Sequence, residues 1–126
     1  MKSPKTILLV EDNLKNLRLC RDLLELHGHI IIEATDGEEG VNLARLHRPD
    51  LIVMDIQLPI INGEEAAKIL FSKAETKDIP IIAFTAFAMK GDEERFLKSG
   101  FNGYIAKPID TRQFANQVEE FFIDDE

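Results

Sequence analysis

An open, doubly wound α/β sheet of five parallel strands, with helices on both faces, is the fold this sequence predicts. Three observations carry that expectation. Five short apolar runs alternate with five stretches of helical periodicity, and such alternation with short connections produces parallel strands through right-handed crossovers. The third run, Leu51-Ile52-Val53-Met54, is apolar without alternation, as a strand covered on both faces must be. The chain has 126 residues, enough for five such units but about half of what a closed eight-stranded barrel needs.

Each element can be justified in turn. Thr6-Ile7-Leu8-Leu9-Val10 is the first strand, and Glu11-Asp12-Asn13 leaves it. From Leu14 to Leu26 the apolar positions Leu14, Leu17, Cys20 or Arg21, and Leu24 recur every three or four residues, which makes a one-sided helix. Gly28 stands where the C-terminal cap of that helix belongs. Ile30-Ile31-Ile32 is the second strand. Asp36, with Glu39 three residues on, reads as a capping box opening a helix through Val41, Ala44 and Leu46, which Pro49 ends. The third strand stops at Asp55, and Pro59 and Asn62-Gly63 punctuate a loop before a helix from about Glu64 to Lys73. Ile81-Ile82-Ala83-Phe84 leads to Thr85, and a helix near Asp92 to Lys98 is closed by Gly100. Tyr104-Ile105-Ala106 leads to Lys107-Pro108. Asp110 or Thr111 then caps a last helix carrying Phe114, Val118 and Phe121, and Asp124-Asp125-Glu126 reads as a frayed tail. No linker, repeat or low-complexity segment divides the chain, so residues 1–126 read as a single domain.

Composition narrows the function. Apolar residues make up 44% and charged residues 30%, a globular balance. One cysteine excludes a disulfide framework and a multi-thiolate zinc site. The apolar runs are too short to span a membrane, and the first residues do not make a signal peptide, so a cytoplasmic setting is expected. A formal charge of −8 argues against nucleic-acid binding, which Lys and Arg carry.

In open sheets the ligand site lies beyond the carboxyl ends of the strands, where the strand order reverses. The residues at those ends are Glu11 and Asp12, Asp55, Thr85, and Lys107. Strands one and three are expected neighbours, so Asp12 and Asp55 should face each other. Crowded carboxylates raise a pKa or recruit a cation. Oxygen ligands without histidine or thiolate suit Mg²⁺, which uses one or two carboxylates plus a phosphate oxygen. Lys107 offers a compact positive charge to a phosphoryl group, and Thr85 a hydroxyl donor. A carboxylate can itself be the nucleophile that forms an acyl phosphate. Singly, each residue has an ordinary reading: Asp12 or Asn13 as a helix cap, Asp55 as the first residue of a loop, Thr85 as a strand residue, Lys107 as a solvated turn residue. Four of them on four converging strand ends point instead to an edge that places a phosphoryl group on a carboxylate.

Four stretches then carry a family resemblance: Ile7-Leu8-Leu9-Val10-Glu11-Asp12-Asn13, Pro49 through Pro59, Thr85 through Glu94, and Tyr104-Ile105-Ala106-Lys107-Pro108. On these the chain resembles the receiver domains of two-component response regulators over nearly its whole length. The resemblance implies a flavodoxin-like sandwich with strand order 2-1-3-4-5. It implies that Asp55 accepts the phosphoryl group of a kinase phosphohistidine. Glu11 and Asp12 match the acidic pair, with Asp12 touching Mg²⁺ directly, Glu11 through water, and Mn²⁺ able to substitute. The backbone carbonyl of Gln57 is the implied third ligand. Lys107 is implied to contact the phosphoryl oxygens, with a cis bond to Pro108. Thr85 and Tyr104 match a switch pair, the hydroxyl moving toward the phosphoryl group and the ring turning inward. The implied partners are a histidine kinase or histidine phosphotransfer protein docking on the first helix near Asn13 to Leu24. A downstream protein would read the fourth helix, fifth strand and fifth helix. The domain would be a monomeric signalling unit, promoting only its own phosphotransfer and slow autodephosphorylation.

Departures from the family pattern are mild. Leu58 and Ile61-Asn62 stand where Met and Met-Asp are frequent, and Gln57 and Phe87 stand where access of the hydrolytic water is tuned. Cys20 reads as a small core residue. His27, His29 and His47 have no carboxylate or cysteine at ligand spacing and read as solvated. Phe121 and Phe122 read as packing for the last helix. A haloacid-dehalogenase-type phosphatase would need a second carboxylate where Gln57 stands, and a flavodoxin-type cofactor protein a phosphate loop after the first strand. A phosphorylation-independent interaction module would have lost Asp55, Asp12 or Lys107. Met1 is followed by only four residues before the first strand, which favours a stand-alone regulator over a receiver cut from a hybrid kinase.

Overall fold

The computed structural model describes residues 3–86 and 91–122. Its five strands are β1 (Thr6–Val10), β2 (Ile30–Ala34), β3 (Leu51–Asp55), β4 (Ile81–Thr85) and β5 (Gly103–Ala106). They form one parallel sheet in the order β2-β1-β3-β4-β5. Five helices alternate with them: α1 (Leu14–Leu26), α2 (Gly37–His47), α3 (Gly63–Phe71), α4 (Asp92–Lys98) and α5 (Phe114–Glu119). This is the doubly wound α/β class that the alternation predicts. No helix among the described residues is long and apolar enough to cross a membrane.

The continuous apolar strands are explained by cover on both faces. Leu8, Val10, Ile52, Met54, Ile81 and Ala83 pack toward α2, α3 and α4, against Val41, Ala44, Ala66, Leu70 and Phe96. Their neighbours Ile7, Leu9, Leu51, Val53, Ile82 and Phe84 pack toward α1 and α5, against Leu17, Leu24, Phe114 and Val118. Every residue of β3 and β4 is buried, and each large apolar side chain among them contributes about 1.5–3 kcal/mol. At the edge, Ile30 of β2 is 63% exposed, because only one neighbour strand covers it.

Several element ends differ from the sequence expectation. Strand β2 runs on to Ala34, and α3 stops at Phe71. Asp36 does cap α2, accepting from Glu39 N at 2.7 Å, but Glu39 reaches back to Thr35 N and closes no reciprocal box. That box forms at α3, where Asn62 Oδ1 accepts from Glu65 N and Glu65 Oε1 from Asn62 N. Helix α5 begins only at Phe114: Asp110 caps a preceding turn, accepting from Arg112 N at 2.9 Å. Two of the apolar positions that marked the helices are solvated, Leu14 at 58% exposure and Leu46 at 72%. Phe87, within 87–90, and the acidic end Asp124-Asp125-Glu126 lie outside the described residues.

The expectation of solvated histidines fails at His29, which is buried. Its Nε2 lies 2.6 Å from Glu119 Oε2, and His27 Nδ1 lies 3.0 Å from the same oxygen. Lys5 N donates to His29 Nδ1 at 3.0 Å, so Nε2 carries the ring proton and donates to the carboxylate. Glu119 sits on α5, 90 residues away from His29. That separation hides the pair from any search by local ligand spacing.

Candidate functional site

Strand order places the site. Beside β1, the chain goes to β2 on one side and to β3 on the other, so a crevice opens beyond Val10 and Met54, which are paired. Backbone pairing continues past the strand ends and fixes the residues that line it. Glu11 N donates to Ala34 O, Ile56 N to Phe84 O, and Lys107 N to Thr85 O at 2.8 Å. Asn13 caps α1 by accepting from Asn16 N, which turns the chain sharply after Asp12.

Glu11, Asp12 and Asp55 each bring one carboxylate oxygen within 4.8 Å of the others. Glu11 and Asp55 are buried, while Asp12 is exposed at the mouth. Lys107 enters from β5: its Nζ donates to Asp55 Oδ2 at 3.0 Å and lies 2.7 Å from Glu11 Oε1. The Glu11 contact is an ion pair without hydrogen-bond alignment, since Oε1 is buried and accepts no hydrogen bond. The other oxygens are held by backbone: Asn13 N donates to Glu11 Oε2, and Gln57 N to Asp55 Oδ1, both at 3.1 Å.

Burial and the Asp55 carboxylate push the Glu11 pKa up, against the Lys107 ammonium and the Asn13 N–H. For Lys107, burial works against the charge, yet the Glu11 and Asp55 carboxylates beside it outweigh that and raise the pKa. Two buried carboxylates therefore share the Lys107 ammonium, with the Asp12 carboxylate beside them. This set of hard oxygen donors, with a buried oxygen lacking a hydrogen bond, suits a divalent cation such as Mg²⁺.

Thr85 ends β4 and is 1% exposed. Pairing of Ala83 with Tyr104 puts Thr85 and Tyr104 on the same face of the sheet. Tyr104 is half-buried against the α2–α3–α4 core. The Lys107–Pro108 peptide bond is cis. Glu11, Asp12, Asp55 and Lys107 thus meet at the crevice, with Thr85 at the adjacent strand end.

One contact was not anticipated. Lys107 Nζ lies 4.8 Å from the centroid of the Phe84 ring, so an aromatic face meets the ammonium. The alternation along β4 puts Phe84 on the α1–α5 face, whereas the sequence marked it only as part of a strand. Beside it a cleft of about 270 Å³ is lined by Asn16, Leu19, Cys20, Phe84, Pro108 and Ile109. Burial pushes the Cys20 thiol up to about 12, so it is a core group and no nucleophile.

Comparison with known proteins agrees with this geometry. The response regulator receiver domain family matches residues 7–119. The polar-differentiation response regulator DivK of Brucella anthropi is 49% identical over 121 residues, covering 96% of this chain and 98% of that protein. Among solved structures, the receiver domain of the sensor histidine kinase PA1611 from Pseudomonas aeruginosa has magnesium in its active-site cleft. It superposes with a TM-score of 0.85 at 34% identity, over 94% of this chain and 98% of that one. The chemotaxis regulator CheY4 of Vibrio cholerae gives 0.89 at 22% identity, over 95% and 100%, a likeness that speaks for the fold alone. The chain belongs to the response regulator receiver domain family.

Proposed function

We propose that this chain, acting as one receiver unit over residues 1–126, takes a phosphoryl group from a phosphohistidine onto Asp55 and passes the signal on by changing its protein contacts. The observation that carries this reading is the placement of Lys107 Nζ, 3.0 Å from Asp55 Oδ2, within a cluster of three carboxylates. An Asp55 oxygen attacks phosphorus, the new O–P bond forms as the P–N bond breaks, and the histidine ring leaves with the electron pair. Lys107 meets the phosphoryl oxygens, as it now meets the carboxylates. Glu11, Asp12, Asp55 and the backbone carbonyl of Gln57 would hold Mg²⁺, with Mn²⁺ able to substitute. Bound there, the cation neutralises charge on the phosphoryl oxygens. The donor is a histidine kinase or histidine phosphotransfer protein, approaching over α1 and its cleft.

The acyl phosphate adds charge and acceptor oxygens at one strand edge. Thr85 is drawn toward it, and Tyr104, on the same face, turns into the space released. The face of α4, β5 and α5 then meets a downstream protein. Moving such an equilibrium almost fully takes about 5.5 kcal/mol of differential stabilisation, within reach of a few phosphate contacts. The domain is a signalling unit whose own chemistry is limited to phosphotransfer and slow autodephosphorylation. The 49% identity to DivK over nearly its whole length supports this reading.

The test is intact mass after incubation with acetyl phosphate. One added phosphoryl group, dependent on Mg²⁺ and absent in Asp55→Asn, is the expected result. No gain under conditions that modify a known receiver would leave a phosphorylation-independent binding module.

A further inference from the structure

Ile60 is held in a costly conformation while its side chain stays largely exposed. Its φ is +73°, in the left-handed region, and it is 70% exposed. A β-branched residue resists that region because its Cβ crowds the neighbouring carbonyl. The other positive-φ residue besides glycine among those described, Arg48, caps α2 and donates its N–H to Ala44 O. Ile60 caps no helix.

Its neighbours impose the conformation. Pro59 O accepts from Gly37 N at 3.4 Å. Ile61 packs on the core, and its carbonyl passes so close to Gly37 that a Cβ there would lie 2.1 Å from the oxygen. Asn62 is fixed by capping α3, and Gly63 N donates to Ile56 O at 2.9 Å. Between these anchors Ile60 turns outward, on the loop that leaves Asp55.

We infer that Ile60 is a preformed apolar contact for the protein that brings the phosphoryl group to Asp55, an inference that rests on the proposed function. Asp55 is only 4% exposed, so a donor histidine on another protein reaches it only if that protein closes over the surrounding loops. The anionic phosphoryl group of a donor meets like charge here, since Glu11, Asp12 and Asp55 line the edge of a chain of net charge −8. Apolar contact offsets that repulsion, and Leu14 and Leu19 of α1, the helix that follows Asp12, are exposed at 58% and 38%. Fixing the side chain in advance removes the cost of ordering it on binding. A small phosphodonor needs no such contact.

The experiment compares Ile60→Asn and Ile60→Val with the wild type. Asn adopts the left-handed region readily, so Ile60→Asn raises Tm by about 2–6 °C. Phosphorylation by acetyl phosphate stays unchanged. Transfer from an autophosphorylated sensor kinase, chosen as the fastest donor to the wild type in a panel of such kinases, falls roughly tenfold. Ile60→Val keeps the wild-type rate. Transfer to Ile60→Asn at the wild-type rate would overturn the inference and leave the proposed function standing. Failure of acetyl phosphate to label the wild type would overturn both.

Discussion

Lys107 Nζ stands between two buried carboxylates, 2.7 Å from Glu11 Oε1 and 3.0 Å from Asp55 Oδ2. Two like charges this close are tolerable only with a cation between them. Lys107→Ala is therefore expected to lower stability by about 1–3 kcal/mol in metal-free buffer at neutral pH. Mg²⁺ should restore more Tm in the variant than in the wild type, because it replaces the missing charge. Thermal unfolding with and without Mg²⁺ measures both.

Gly63 limits how the loop can leave the site. A Cβ at this position would lie 2.1 Å from Asp55 O and 2.8 Å from Ile56 Cα, both backbone atoms that cannot swing aside. Gly63→Ala should cost about 1–3 kcal/mol by overpacking and slow labelling by acetyl phosphate, since the strand end carrying Asp55 must shift. Urea unfolding and the labelling rate report the two effects separately.

Tyr104 is the single tyrosine of a chain without tryptophan, so intrinsic fluorescence reports one ring. Acetyl phosphate with Mg²⁺ should change that signal as the ring turns inward. Thr85→Ala should take up the phosphoryl group with little loss yet give a much smaller change. An equal fluorescence change in mutant and wild type would separate Tyr104 from Thr85.

Glu119 sets an acid limb of stability. Burial raises its pKa, but the bonds from His29 and His27 outweigh this and hold it below the usual 4.5. A folded pKa below the unfolded one contributes stability that is present above about 4.5 and lost as pH falls through the folded value. Glu119→Gln should lose about 1–3 kcal/mol at neutral pH, the worth of bonds to a charged acceptor. The gap to wild type should then narrow below pH 4.5. Urea unfolding at several pH values follows it.

Much of this fold and site was legible in the sequence because its signals are local. The unalternating run at Leu51 to Met54 declares a doubly covered strand, and the carboxylates and Lys107 sit at strand ends that any doubly wound sheet brings together. What was not legible depends on distant partners or on backbone crowding. Glu119 reaches His29 across 90 residues. Leu14 shares the helical spacing of Leu17 and Leu24 yet stands at the first position of α1 and stays exposed. The left-handed Ile60 follows from pinning by Gly37 and Gly63, which no propensity of isoleucine signals.

The central claim is that Asp55, and no other carboxylate of the cluster, becomes the acyl phosphate. Reductive trapping tests it most directly, because borohydride converts an aspartyl phosphate to homoserine. After incubation with acetyl phosphate and Mg²⁺, borodeuteride treatment and peptide sequencing by mass spectrometry should place deuterated homoserine at position 55. Label at Asp12 instead, or none in a protein that has gained the phosphoryl mass, would contradict the account.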